Sequence, residues 1–155
     1  MRPGIGPPPS TGFLLWHVTL RWRAALDRAL APLGITASQY AVLASLHGLS
    51  RAGARPSQRE LADFSGLGPM YVSKLVRALE QAGLLRRATS AADPRAVELT
   101  LTERGAEVVR AGAATVRALE DERLAPLGGR DGERSVVLRE LLLALLRHAE
   151  TIGHG

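Results

Sequence analysis

The chain has 155 residues, no cysteine and a formal net charge of +5. That length supports one modest core or one half of a shared core. The lack of thiols removes disulfides and cysteine redox switches, and the positive balance favours anionic partners over cationic ones. No run is apolar enough for a bilayer-spanning helix, and the start of the chain lacks a basic stretch followed by an apolar core. The expectation is therefore a soluble, cytoplasmic protein with no membrane partner.

Residues 1–12, rich in proline and glycine, are expected to be a disordered tail, with a single domain over 13–155. The first helix runs from about Thr11 to Ala31, with its dimerisation part at about 13–31, and carries Leu14, Leu15, Val18, Trp22, Ala25, Leu26 and Leu30. Pro32, Leu33 and Gly34 end it. A second helix opens at Thr36 with Gln39 as its capping partner, and turns Tyr40, Val42, Leu43 and Leu46 inward before Gly48.

After a loop at 49–56, Ser57 and Glu60 form a second capping box, and Leu61, Ala62 and Phe64 supply the apolar side of a short helix. That helix stops near Ser65 and Gly66, since glycine accepts the left-handed conformation that ends helices. A tight turn at Gly66, Leu67 and Gly68 leads to Pro69, which suits the first position of a new helix. In that helix Val72, Leu75, Val76 and Leu79 recur at i, i+3, i+4 and i+7, so they share one inward face. The opposite face carries Met70, Ser73, Lys74, Arg77 and Gln81. Hydroxyl, ammonium and guanidinium groups near a helix N-terminus have the chemistry of major-groove readout. On Lys74 and Arg77 alone an ordinary solvated face is the better reading, and it is the order of elements that favours DNA.

The helix ends at Gly83, and the runs 84–87 and 97–101 then read as strands around a polar loop at 88–96. In the second strand Val97, Leu99 and Leu101 alternate and are expected to point inward. A hairpin behind a recognition helix is a wing, and Arg86 on its first strand and Arg95 near its tip can approach the sugar-phosphate backbone or the minor groove. Asp93 can hold the loop by pairing with Arg95 or by accepting backbone N–H groups, although a plain Asp-Pro turn would look the same.

A long helix follows at about 103–124, Pro126 to Gly132 break it, and a last helix spans about 133–152. Val137, Leu138, Leu141, Leu142, Leu145 and Leu146 form a wide apolar sector there, with Val136 and Leu143 beyond it. A helix resting on one surface needs a stripe somewhat wider than about 100°, so a second chain is the natural cover for the remainder. The competing reading makes it the central helix of its own domain, against which stand its terminal position and the charged Arg139, Glu140 and Arg147.

No catalytic constellation, cofactor motif or metal site is found. His17, His47, His148 and His154 have no motif around them, and the glycines at 66 and 68 lack the preceding strand of a dinucleotide fingerprint.

Three pieces in order, Gly83-Leu84-Leu85-Arg86-Arg87, Asp93-Pro94-Arg95 and Leu101-Thr102-Glu103-Arg104-Gly105, closely resemble the wing of the MarR family of bacterial transcriptional regulators. The segment from Gly34 to Tyr40 looks like that family's approach to its second helix, and the resemblance covers about 14–146. It implies a mainly α fold with a small β-hairpin, that is, a winged helix-turn-helix at about 36–101 with N- and C-terminal dimerisation helices. It also implies a homodimer on a pseudo-palindromic double-stranded DNA operator, acting as a repressor. Ser57, Met70, Ser73, Lys74, Arg77, Arg86 and Arg95 are the expected DNA contacts, with Asp93 positioning the wing. Family members commonly respond to small aromatic or phenolic ligands, for which Trp16, His17, Arg21, Tyr40 and His47 are candidates here, although core or dimer packing is the stronger reading of Trp16 and Tyr40. Two other functions stay open: a constitutive architectural DNA-binding protein with no effector, and a winged-helix module that binds a protein.

Overall fold

The computed structural model describes residues 8–152. Of the expected N-terminal tail, residues 1–7 lie outside the described residues, as does His154. Helix α1 (Thr11–Leu30) begins at Ser10, whose hydroxyl accepts the Phe13 N–H, and passes through a 3-10 turn at Ala31–Leu33. Helix α2 (Ala37–Arg51), α3 (Gln58–Ser65) and α4 (Pro69–Gln81) follow. Strands β1 (Leu85–Thr89) and β2 (Val97–Leu101) pair antiparallel, and α5 (Glu103–Arg123) and α6 (Glu133–Ile152) complete the chain. The fold is mainly helical with one hairpin, the winged helix-turn-helix expected from the sequence. Among the described residues no single helix is long and apolar enough to cross a membrane.

The chain divides into two compact units, one ending at Gly112 and the other starting at Ala113, within α5. In the first unit α2 packs against α3, α4 and β2. Val42, Leu43 and Leu46 from α2, Leu61 from α3, Val72 and Val76 from α4, and Leu85 and Leu99 from the hairpin are fully or almost fully buried. Each such aliphatic side chain contributes about 1.5–3 kcal/mol on leaving water, which is why these elements hold together within one chain. Both capping boxes form in full: Thr36 with Gln39, and Ser57 with Glu60, each exchange a side-chain and a backbone hydrogen bond. Helix α2 has a further cap from α1, where the Asp27 carboxylate accepts the Ala37 N–H at 2.7 Å and Arg23 donates to the Ser38 hydroxyl at 2.9 Å. A carboxylate there also opposes the positive end of the helix dipole.

The hairpin is longer than the sequence pattern suggests. Ala88 and Thr89, expected in the loop, pair with Glu98 and Val97. Val97, expected inward, is 44% exposed, whereas Leu99 is buried and Leu101 half-buried. Alternation puts Val97 on the face of Leu99, but Val97 stands at the loop end of β2 and stays exposed there. The connection before α3 is also partly strand-like: the Leu99 N–H donates to the Pro56 carbonyl at 3.0 Å, and Ser57 bridges Glu98.

In the second unit a 3-10 turn at Ala125–Leu127 and a glycine-rich corner connect α5 to α6. Ser135 is buried and donates to the Gly129 carbonyl at 2.6 Å, while the Arg130 N–H donates to Asp121 at 3.0 Å. Beyond that corner α6 has little cover. Val137, Leu141, Leu143, Leu145 and Leu146 are all exposed, Leu146 to 62%. The outer half of α1 in the first unit is similar, with Phe13, Leu14, Leu15, Trp16 and Val18 exposed.

Candidate nucleic-acid interface

Helix α3 ends at Gly66, where φ is +70°, a conformation a side chain with a Cβ rarely adopts. The Leu67 N–H donates to the Ser65 hydroxyl at 3.4 Å, Gly68 is the N-cap of α4, and Pro69 occupies its first turn. The turn is short because Gly66 takes a left-handed conformation and Pro69 suits a helix start, and α4 packs against α3 with Val72, Leu75, Val76 and Leu79 buried.

Burying that face turns the other outward. Met70, Ser73, Lys74, Arg77, Ala78 and Gln81 line one open depression along α4. Met70 is 90% exposed, and Lys74 and Arg77 are also exposed. The structure therefore brings four of the seven expected contact residues, Met70, Ser73, Lys74 and Arg77, onto one surface. Ser57 is not part of it: half-buried at the start of α3, its hydroxyl accepts the Glu60 N–H at 3.2 Å. The hydrogen bonds from Ser57 hold the Glu60 carboxyl below its ordinary value. Arg86 lines a different depression, with Glu80, Gly83, Leu85, Thr102, Glu103 and Arg104.

Arg95 sits exposed at the tip of the wing. Its backbone N–H donates to the Asp93 carboxylate at 2.9 Å, the second of the two roles open to Asp93 from sequence. The wing is fastened to α4, and its base to the turn after that helix. Arg87 on β1 donates to Glu80 through two nitrogens, each at 2.7 Å, and the guanidinium lowers the Glu80 pKa. At the base, the Thr102 hydroxyl donates to the Gly83 carbonyl at 2.7 Å and accepts the Gly105 N–H at 3.0 Å. Gly105 lies so close to the Leu84 carbonyl that a Cβ would collide with it. This joint explains physically why threonine and then glycine, three residues on, must open α5.

The five residues considered for an effector lie in contrasting surroundings. Trp16, His17 and Arg21 are exposed on α1, with the His17 ring tilted at 4.1 Å from that of Phe13. Tyr40 and His47 on α2 are half-buried, and the Tyr40 ring packs over the backbone of Gly112.

Sequence reasoning missed the ion pair between Arg87 and Glu80, and a cluster at the wing base. There the Ser90 hydroxyl donates to Glu98 at 2.6 Å and Arg55 stands 3.8 Å from the same carboxylate. Local spacing does not give this contact: it follows from the strand register, which puts Glu98 opposite Ala88 and two residues from the turn.

A sequence model described as the MarR family matches residues 35–97. The uncharacterized HTH-type transcriptional regulator YdcH of Bacillus subtilis is 38% identical over 115 residues, 74% of this chain and 78% of its own length. The chain belongs to the MarR family. A second relative, the HTH-type transcriptional repressor Rv2887 of Mycobacterium tuberculosis, is 33% identical over 80% of this chain and 86% of its own length. Among solved structures, a mutant MarR from E. coli complexed with operator DNA superposes with a TM-score of 0.73 at 26% identity, covering 87% of this chain and 91% of that one. The part matched by the MarR family model runs from the residue before the Thr36 cap to the first residue of β2, so it contains α4 and the wing tip.

Proposed function

We propose that this chain is a homodimeric, sequence-specific DNA-binding transcriptional regulator, acting as a repressor. The observation that carries the reading is the outward face of α4, with Met70, Ser73, Lys74 and Arg77 on one surface, followed by a wing with Arg95 at its tip. In this reading the α4 side chains enter the major groove, where a guanidinium donates to guanine and a hydroxyl to base edges, while Arg95 anchors the wing on the backbone or in the minor groove. Arg86 on β1 adds a phosphate contact, Asp93 holds the turn that carries Arg95, and the Ser57 end of α3 faces a phosphate. The operator complex of the E. coli relative and the repressor name of the mycobacterial one support this assignment.

Dimerisation is supported by the uncovered apolar residues of α6 and α1. Two copies would address half-sites about one helical turn apart. Relief of repression by a small aromatic or phenolic carboxylate is part of the proposal. Arg21 or His17 would hold the carboxylate while Trp16 covers the ring, with Tyr40 and His47 as further contacts. Binding would then favour a dimer whose two readers no longer match the operator spacing.

The test is binding of the purified protein to DNA upstream of its own gene, against random duplex, across a salt series. Sequence-preferring binding as a dimer is expected, with Arg77→Ala costing about 1–3 kcal/mol and relaxing base preference. Arg95→Ala should weaken binding and reduce the salt dependence. Equal, weak binding to both duplexes would defeat the regulator reading. A hydroxybenzoate that leaves operator affinity unchanged at millimolar concentration would remove that effector class.

A further inference from the structure

We infer that Ser90 and Glu98 are positioning residues that set where Arg95 stands, through a latch at the base of the wing turn. The inference rests on the proposed role of the wing in DNA binding. Ser90 is 8% exposed, unusually buried for a hydroxyl at the neck of a surface loop. Its hydroxyl donates to a Glu98 carboxylate oxygen at 2.6 Å and accepts the N–H groups of Ala92 at 3.2 Å and Asp93 at 3.4 Å. The Ser90 backbone N–H donates to the Ala96 carbonyl at 2.9 Å, and the Ala96 N–H donates to the Asp93 carbonyl at 3.0 Å. Asp93 in turn accepts the Arg95 N–H. One hydroxyl thus gathers the start of the turn, and the turn's own hydrogen bonds carry that placement to Arg95.

Glu98 gives the latch a fixed foundation. Its side chain is 18% exposed, its second carboxylate oxygen stands 3.8 Å from the Arg55 guanidinium, and its backbone bridges Ser57, the N-cap of α3. The wing turn is therefore referenced to α3 as well as to β1. A hydrogen bond to an ionised acceptor is among the stronger ones available to a hydroxyl, and its loss would release the turn without removing any side chain that meets DNA. The Arg55 contact is long and 74% of that side chain is exposed, so it is a lesser part of the latch.

The experiment is a double-mutant cycle on the full chain, read by anisotropy on a duplex that the protein itself selects from a random library. Losing one charge-assisted contact predicts that Ser90→Ala weakens binding by about tenfold. Arg95→Ala should do the same, and the double variant should bind no worse than Arg95→Ala alone. Glu98→Gln, which keeps an acceptor for the Ser90 hydroxyl, should stay within about twofold of the parent, while Glu98→Ala should behave like Ser90→Ala. Multiplying effects of Ser90→Ala and Arg95→Ala would overturn the latch in favour of a general structural role. Unchanged binding by Ser90→Ala beside a weakened Arg95→Ala would overturn the latch alone. An inert Arg95→Ala would remove the wing reading and the latch with it.

Discussion

The reader and the terminal helices treat the same kind of residue in opposite ways. In α2, α3, α4 and the hairpin most aliphatic side chains, Val97 excepted, are driven inward and closed over by neighbours of the same chain. In the outer half of α1 and along α6, phenylalanine, tryptophan, valine and leucine side chains stand open. On each helix, clustered exposed apolar side chains of that kind are typical of an interaction site. The reader closes most of its apolar core within one chain, whereas the terminal helices leave large apolar side chains exposed. In the proposed dimer, a second copy covers them.

The largest effect should come from attacking the open surface. Leu141→Glu with Leu145→Glu puts two charges on it, each replacing a side chain whose burial contributes about 1.5–3 kcal/mol. Sedimentation should report monomers, with thermal melting of the reader still cooperative and operator binding lost by at least about a hundredfold, since two half-sites are no longer joined. Dimers that persist at micromolar concentration would show that α6 is not the interface.

Next in size is a break inside the closed half. Gly105→Ala forces a methyl group against the Leu84 carbonyl and should cost about 1–3 kcal/mol, as overpacking does. Chemical denaturation would measure it, and an unchanged midpoint would mean that the joint yields without loss. A smaller break is Ser57→Ala, which removes the hydroxyl from the α3 capping box and should lower stability by about 1 kcal/mol.

The smallest expected effect is electrostatic. Glu60 and Glu80 both have pKa values lowered from 4.5, the first mainly by the Ser57 backbone hydrogen bond and the second mainly by the hydrogen bond from Arg87. In each case the folded state holds the charged form more firmly than the unfolded chain. Their contribution is therefore fully present above pH 4.5 and is lost as pH falls through the lower folded values. Melting temperatures recorded from pH 6 downward should decline through that window, and Glu80→Gln should flatten the decline. A slope that Glu80→Gln leaves unaltered would show that the pair does not couple to folding.

The same contrast explains what could be read in the sequence. Both capping boxes, the turn at Gly66 and the inward face of α4 depend on residues a few positions apart, and they formed as the spacing implied. The outward set Met70, Ser73, Lys74 and Arg77 followed from the same period. What escaped depends on contacts between distant segments. Asp27 caps a helix ten residues on, Arg87 reaches back to Glu80, and Glu98 meets Ser90 only because of the strand register. Val97 shows the limit of alternation, which gives the face of a residue but not whether anything covers it.

The hydrogen bond from the Ser90 N–H to the Ala96 carbonyl has a practical meaning for remodelling this protein. It closes the hairpin frame, so the five residues at 91–95 form a cassette outside that frame. Exchanging the cassette for one of different length or charge, with Ser90 and Ala96 kept, would retune the proposed wing contact while leaving α4 and its outward side chains as they are.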